Sequence, residues 1–243
     1  MAARLLEIAA NSLASALAAQ AGGAGRVELC TALELGGLTP SYGEIALVRE
    51  RVRLPLYVLI RPRAGDFLYS DLEFETMLRD IKACTSLGCD GVVIGALDAD
   101  AEIDTLRCQS LIHAAGGMGV TFHRAFDLVR DQVRSLEEVI ALGAERVLTS
   151  GGKSAAREGA EHIRALIDQA RGRIVVMPGA GITSDNIAEL ASLTGAQDFH
   201  ASAKRVHGSG MRSLPMNSLG MEGGETRSDA DEVRALVQAL AAS

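Results

Sequence analysis

Eight short β-type runs, each followed by a longer helical pattern, recur from one end of the chain to the other, and this repeat limits the possible folds more than any other feature. The runs read Leu5–Ala9, Arg26–Cys30, Leu56–Ile60, Asp90–Gly95, Val120–Arg124, Arg146–Ser150, Ile174–Met177 and Asp198–Ser202. Their starts are about 28 residues apart, the size of a βα unit. Helical patterns fill the gaps at Ser12–Gln20, Glu44–Val52, Leu72–Leu87, Ile103–Ala115, Ser135–Leu142, Ala155–Gln169 and Asn186–Leu193, with a last one at Asp229–Leu240. Gly22-Gly23, Gly88, Gly116-Gly117, Gly143 and Gly172 stand just before strands, where a helix ends best on a left-handed residue.

The strand-to-helix loops are longer and carry more chemistry-bearing residues than the returns. That asymmetry predicts an α/β fold, a single-domain TIM-type (β/α)8 barrel over residues 1–243, with its site on the loop-bearing mouth. A doubly wound sheet would want a Gly-rich fingerprint after the first strand, where this chain has Ala9-Ala10-Asn11-Ser12. The irregular segment at about 204–228 breaks the period and is expected to be a lid, a subunit contact or disordered.

A net charge of −7 argues against a nucleic-acid partner, which calls for clustered Lys and Arg. Apolar runs are interrupted well short of the roughly 20 residues that span a bilayer, so no membrane partner is expected. Four cysteines (Cys30, Cys84, Cys89, Cys108) without a C-x-x-C pair suit a reduced, cytoplasmic compartment.

Period-two alternation assigns faces. Glu7, Glu28, Cys30, Arg61, Thr121, His123, Asp198, His200 and Ser202 turn inward, so acids, a guanidinium and imidazoles converge near one end of the ring. Unpaired burial of such groups is costly; they form either a salt-bridge layer or a ligand site. In the second case Glu7 or Glu28 serves as general base, His123 and His200 as acid–base partners, and Arg61, Arg63 and Asp66 shape one strand end, the two guanidiniums forming a fork for a carboxylate or phosphate. Thr149, Ser150 and Gly151 after the sixth strand, and Gly179 and Gly181 after the seventh, resemble anion cradles built on backbone N–H groups, with Ser202 nearby. The expected ligand is small and anionic. No zinc-type spacing occurs. Cys30 and Met177 are the soft donors for a copper ion.

Arg26-Val-Glu-Leu-Cys30, Gly36-Gly-Leu-Thr-Pro-Ser41, Ile60-Arg-Pro-Arg-Ala-Gly-Asp-Phe-Leu-Tyr-Ser-Asp71, Thr121-Phe-His-Arg-Ala-Phe-Asp127, Val147-Leu-Thr-Ser-Gly151, Met177-Pro-Gly-Ala-Gly181 and His200-Ala-Ser-Ala203 closely resemble the CutC copper-homeostasis family, in order from about residue 5 to 217. The resemblance implies a cytoplasmic TIM-type barrel, a homo-oligomer, with a proposed role in copper tolerance and copper as its suspected ion. No reaction is firmly attached to the family. By position it makes Cys30 the family cysteine of the second strand, and Glu7, Glu28, Arg61, His123 and His200 the mouth residues. Many members carry a cysteine where this chain has Ala9, so a two-cysteine copper site from the first two strands cannot form. Either Cys30 holds copper with Met177 or a histidine, or binding is weak. The alternative function is an enzyme of unknown reaction on a small anionic or phosphorylated substrate.

Overall fold

The computed structural model describes residues 4–212 and 224–243. Eight parallel strands form the ring: β1 (Leu5–Ala10), β2 (Arg26–Leu29), β3 (Leu56–Leu59), β4 (Gly91–Ile94), β5 (Gly119–Phe122), β6 (Arg146–Thr149), β7 (Val175–Pro178) and β8 (Asp198–Ala201). Each pairs with its sequence neighbour from β1 to β7, and β8 pairs with β1 through Leu5↔Asp198 and Glu7↔His200. β7 lies against β8, which nearly closes the barrel. Between them run α1 (Leu13–Gly22), α2 (Tyr42–Arg51), α3 (Asp71–Leu87), α4 (Thr105–Ala115), α5 (Gln132–Leu142), α6 (Ala160–Ala170) and α7 (Ile187–Thr194), with α8 (Ala230–Ala241) last.

The alternation of the sequence decides which side chains face which layer. Ile8, Val27, Leu29, Val58, Ile60, Ile94, Phe122, Val147 and Phe199 point outward and are buried against Met77, Ile81, Leu111, Leu136, Ile163 and Leu190 of the helices. Each such side chain contributes roughly 1.5–3 kcal/mol on leaving water. Side chains of the opposite parity fill the interior, where Cys30, Tyr57, Leu59 and Val93 make a second, small apolar cluster. Tyr57 is accommodated because β4 starts on a glycine: a Cβ on Gly91 would lie 2.1 Å from the ring.

Two expectations about element bounds are corrected. α6 starts at Ala160, not Ala155; the Ala156 N–H donates to the Ala180 carbonyl of the next loop, which ties those residues to the mouth. α4 starts after Asp104, whose side chain caps it, because Ile103 is drawn into a bridge with Leu97. At the end of α6 Arg171 is the left-handed cap, and Gly172, also at positive φ, follows it.

The segment at about 204–228 is in part regular. β9 (Lys204–His207) pairs antiparallel with β10 (Glu225–Ser228), setting Val206 opposite Thr226, a β-branched cross-strand pair of the kind that steadies a ladder. Ser228 pins the hairpin to the barrel: its N–H donates to Ser15 Oγ and its hydroxyl to the Ala9 and Ser202 carbonyls. Residues 213–223, where the rest of that expectation falls, lie outside the described residues.

Candidate functional site

A cavity of about 530 Å³ opens at the carboxyl ends of the strands, lined among others by Glu28, Cys30, Arg61, His123 and His200. Four of the five mouth residues that the resemblance implies therefore line it with Cys30; Glu7, the fifth, lies fully buried one layer below.

That lower layer is a closed charge network. Arg26 donates through Nε to Glu7 and through Nη2 to Asp198 at 3.0 Å. Arg146 donates to Asp198, to Thr121 Oγ1 and to Glu145, and the Tyr57 hydroxyl donates to Glu145. Both guanidiniums stand over the Tyr57 ring, at 5.4 and 5.2 Å. Burial would raise the Glu7 carboxyl, but the His200 hydrogen bond and the Arg26 charge outweigh it and hold Glu7 down at about 2. Glu7 is thus a fixed anion, unsuited to the general-base role it shared with Glu28.

Its other oxygen accepts from His200 Nδ1 at 2.8 Å. Burial works against a charged imidazole, yet Glu28 and Glu7 overcome it and raise the His200 pKa. Glu28 is the reverse case. Burial is the largest influence, the Glu7 charge adds to it, and His200 and Arg26 only partly offset them, so Glu28 is pushed up to about 7. Its Oε2 is buried without a hydrogen-bond partner among the described residues, 4.0 Å from His200 Nδ1. A carboxyl that gains and loses its proton near neutrality is what acid–base work requires.

On the other side stand Arg61 and His123. Arg61 spends its terminal nitrogens on the loops, donating to the Leu35, Gly37 and Gly65 carbonyls at 2.9, 2.9 and 2.8 Å. Its Nε is buried and has no partner among the described residues. His123 Nδ1 accepts from the Ala125 N–H at 3.2 Å, so the ring proton resides on Nε2, and that Nε2 is likewise buried with no partner among them. Burial, followed by the Arg61 charge, lowers the imidazole to about 3 and keeps it neutral. The Phe67 ring touches both, tilted at 46° to the His123 ring with centroids 4.8 Å apart and 4.9 Å from the Arg61 guanidinium carbon. Gly95 makes room for the imidazole: a Cβ there would come within 2.5 Å of it.

The remaining candidates are placed otherwise. Arg63 turns away from the mouth to Asp66 and Glu73, so the two-guanidinium fork does not form. Thr149, Ser150 and Gly151 do build an anion cradle, but the chain supplies the anion. Asp127 accepts from the Ser150 and Gly152 N–H groups and from the Thr149 and Ser150 hydroxyls, and pairs with Arg124 at 2.7 Å. Gly181, with Ala180, Ile182, Thr183 and Ser184, lines the cavity, as do Ser202 and Lys204; Gly179 packs beneath His200. Met177 is buried inside the ring, where its Sδ accepts from Arg26 Nη2 at 3.4 Å, and it does not line the cavity. Sequence reasoning did not single out Asp127, Arg26, Arg146, Phe67 or Lys204. Alternation carried a signal for Arg26 and Arg146, which share inward parity with Glu28 and Leu148.

These positions decide how well a copper ion fits. Cu(I) favours soft sulfur donors, and a cysteine binds as thiolate. Among the described residues Cys30 is the sole sulfur lining the cavity, Ala9 stands where the family resemblance implies a second, and burial, with Glu28, Glu44 and Glu34, holds its thiol well above the usual range. Glu7, Glu28 and His200 bring donor atoms within 4.8 Å of one another, but they are oxygen and nitrogen, and Glu7 is already engaged by Arg26 and His200. The cavity does not fit a tight Cu(I) site.

The CutC family model matches residues 4–205. The chain belongs to the CutC family. A Xylella fastidiosa CutC family protein (strain Temecula1) is 58% identical over 97% of this chain and 88% of its own length. The mouse copper homeostasis protein cutC homolog is 51% identical over 86% of this chain and 76% of its own. The crystal structure of a putative copper homeostasis protein CutC from Streptococcus agalactiae superposes with a TM-score of 0.78 at 36% identity, covering 81% of this chain and 97% of that one. Family membership and barrel architecture thus agree with the motifs read from the sequence. No helix among the described residues is long and apolar enough to cross a membrane.

Proposed function

We propose that the mouth of this barrel is an acid–base site for a small polar organic molecule, with Glu28 exchanging the proton. One observation carries this reading: Glu28, Arg61 and His123 line the same cavity, and each keeps a buried polar atom (Oε2, Nε and Nε2) that has no partner among the described residues. A buried polar atom left unpaired costs about 1–3 kcal/mol, and three in one cavity are best accounted for by a ligand that completes them. The Glu7–Arg26–Asp198 network below fixes His200, and His200 with Glu7 sets the environment in which Glu28 titrates. Any anionic portion of the ligand is best received at the rim, where Lys204 and the Gly181 loop lie, because Asp127 already fills the cradle after β6.

Copper handling, the role printed in the mouse relative's name, is the second reading. It rests on Cys30 lining the same cavity, and with one sulfur it implies a weakly held, passing ion. Native mass spectrometry of the purified chain, with parallel metal analysis, separates the two. The expected result is an organic molecule retained by the wild type and weakened in Glu28→Gln. Copper at one per chain, lost in Cys30→Ser, with no organic ligand, would overturn the acid–base reading.

A further inference from the structure

Resting on that acid–base reading, the chemistry of the ligand can be taken a step further. His123 and Arg61 both line the cavity and both rest against Phe67, and each keeps one buried N–H that has no acceptor among the described residues. Glu28 lines the same cavity, and its buried Oε2 has no donor among the described residues. Two donors and one carboxyl around a single cavity make an asymmetric site: the donors suit an oxygen that gathers negative charge, the carboxyl a hydrogen that leaves as a proton. A permanent dianion fits less well. The imidazole carries no positive charge, an ionised Glu28 would repel a dianion, and the backbone cradle suited to one is filled by Asp127.

We infer that the cavity binds a carbonyl compound bearing a hydrogen on the adjacent carbon, and that His123 Nε2–H and Arg61 Nε–H together hold its oxygen while Glu28 removes that hydrogen as a proton. The Glu28 carboxylate takes the proton. The C–H electron pair becomes the carbon–carbon π bond, and the carbonyl π pair moves onto oxygen. No oxidant or second reactant is needed, and the single negative charge passes from Glu28 to the oxygen between the two donors. Return of the proton to the same or a neighbouring carbon makes the reaction class an isomerisation, epimerisation or hydrogen exchange.

The 243-residue chain is incubated in D2O with pyruvate, hydroxyacetone and dihydroxyacetone, and loss of the hydrogens beside each carbonyl is followed by proton NMR. At least one probe is expected to exchange faster with the wild type than with Glu28→Gln. His123→Phe should lower that rate about 100-fold, in line with loss of one donor to a developing oxyanion. His123→Gln, whose amide can donate, should restore part of it. Arg61→Lys, which keeps the charge but lacks an Nε–H, should resemble His123→Phe; if it fails to fold, the two His123 variants decide alone. Exchange of no probe above the Glu28→Gln rate overturns the proposal, and so does exchange that needs Glu28 but ignores His123 and Arg61. Titration of Glu28 in the same samples keeps the two levels apart. A midpoint near 7 without exchange removes only the carbonyl assignment, whereas an ordinary carboxylate midpoint removes the acid–base reading beneath it.

Discussion

Below the mouth, Glu7, Arg26, Asp198 and Arg146 answer one another in pairs across β1, β2, β6 and β8. Nearer the mouth, Glu28, Arg61 and His123 each keep an atom that nothing among the described residues answers. The residue types are nearly the same and both layers are buried. What differs is closure: the lower layer is a finished network that orients Glu7 and His200, and the upper layer is left open towards a cavity. The expected salt-bridge layer is present at the lower depth; a ligand site at the upper depth is our proposal.

Removing Arg26 tests the closed layer most severely. In Arg26→Ala, Glu7 and Asp198 lose their shared cation while staying buried. Breaking a buried pair from one side costs about 3–5 kcal/mol, so urea unfolding should show a loss of that order. A loss below about 1 kcal/mol, the range of exposed pairs, would show that the lower network does not hold the barrel.

The Asp127 cradle stands between the two layers in character: closed, but by an anion that the chain lends from outside the strand. Asp127→Ala should cost about 1–3 kcal/mol, since it leaves the Ser150 and Gly152 N–H groups and the Thr149 hydroxyl without their acceptor. Acetate or sulfate should recover part of the loss by occupying the cradle, and a thermal shift titration would show it. If neither anion stabilises the variant more than the wild type, the cradle is not an anion site at all.

Much of this molecule was legible in its sequence, and the limits have physical causes. Alternation is a local property, so it placed Glu7, Glu28, Cys30, Arg61, His123 and His200 on the inner face, where the structure has them. It could not say which inner residues pair, because partners such as Glu7 and His200 are 193 residues apart. Nor could it say that Met177, inward like Cys30, points to Arg26 at a different depth. The glycine-rich run at Thr149–Gly152 was read as a cradle for a ligand's anion, and in the structure its donors go to Asp127, on a short 3-10 turn after β5 where no periodicity marks it. Arg61 and Arg63 looked equivalent in Arg61-Pro-Arg63, but alternation was lost once the strand ended, and Arg63 left the mouth for Glu73. Lone imidazoles are equally opaque. Only the Ala125 hydrogen bond reveals that the His123 ring proton is on Nε2, and only the Glu7 contact that His200 is tied to the lower layer.

The central claim is that Glu28 is a proton-exchanging group poised near neutrality, and a carbon-13 NMR titration of its side-chain carboxyl in the wild-type protein tests it most directly. The midpoint should fall at about 7, against an ordinary 4.5. The sign has a corollary: a carboxyl whose folded pKa is raised favours the folded state while protonated, so this contribution is full below about 4.5 and is lost as pH rises through about 7. A single titration near 7 that is absent from Glu28→Gln spectra supports the account. A Glu28 midpoint near 4.5 would contradict it.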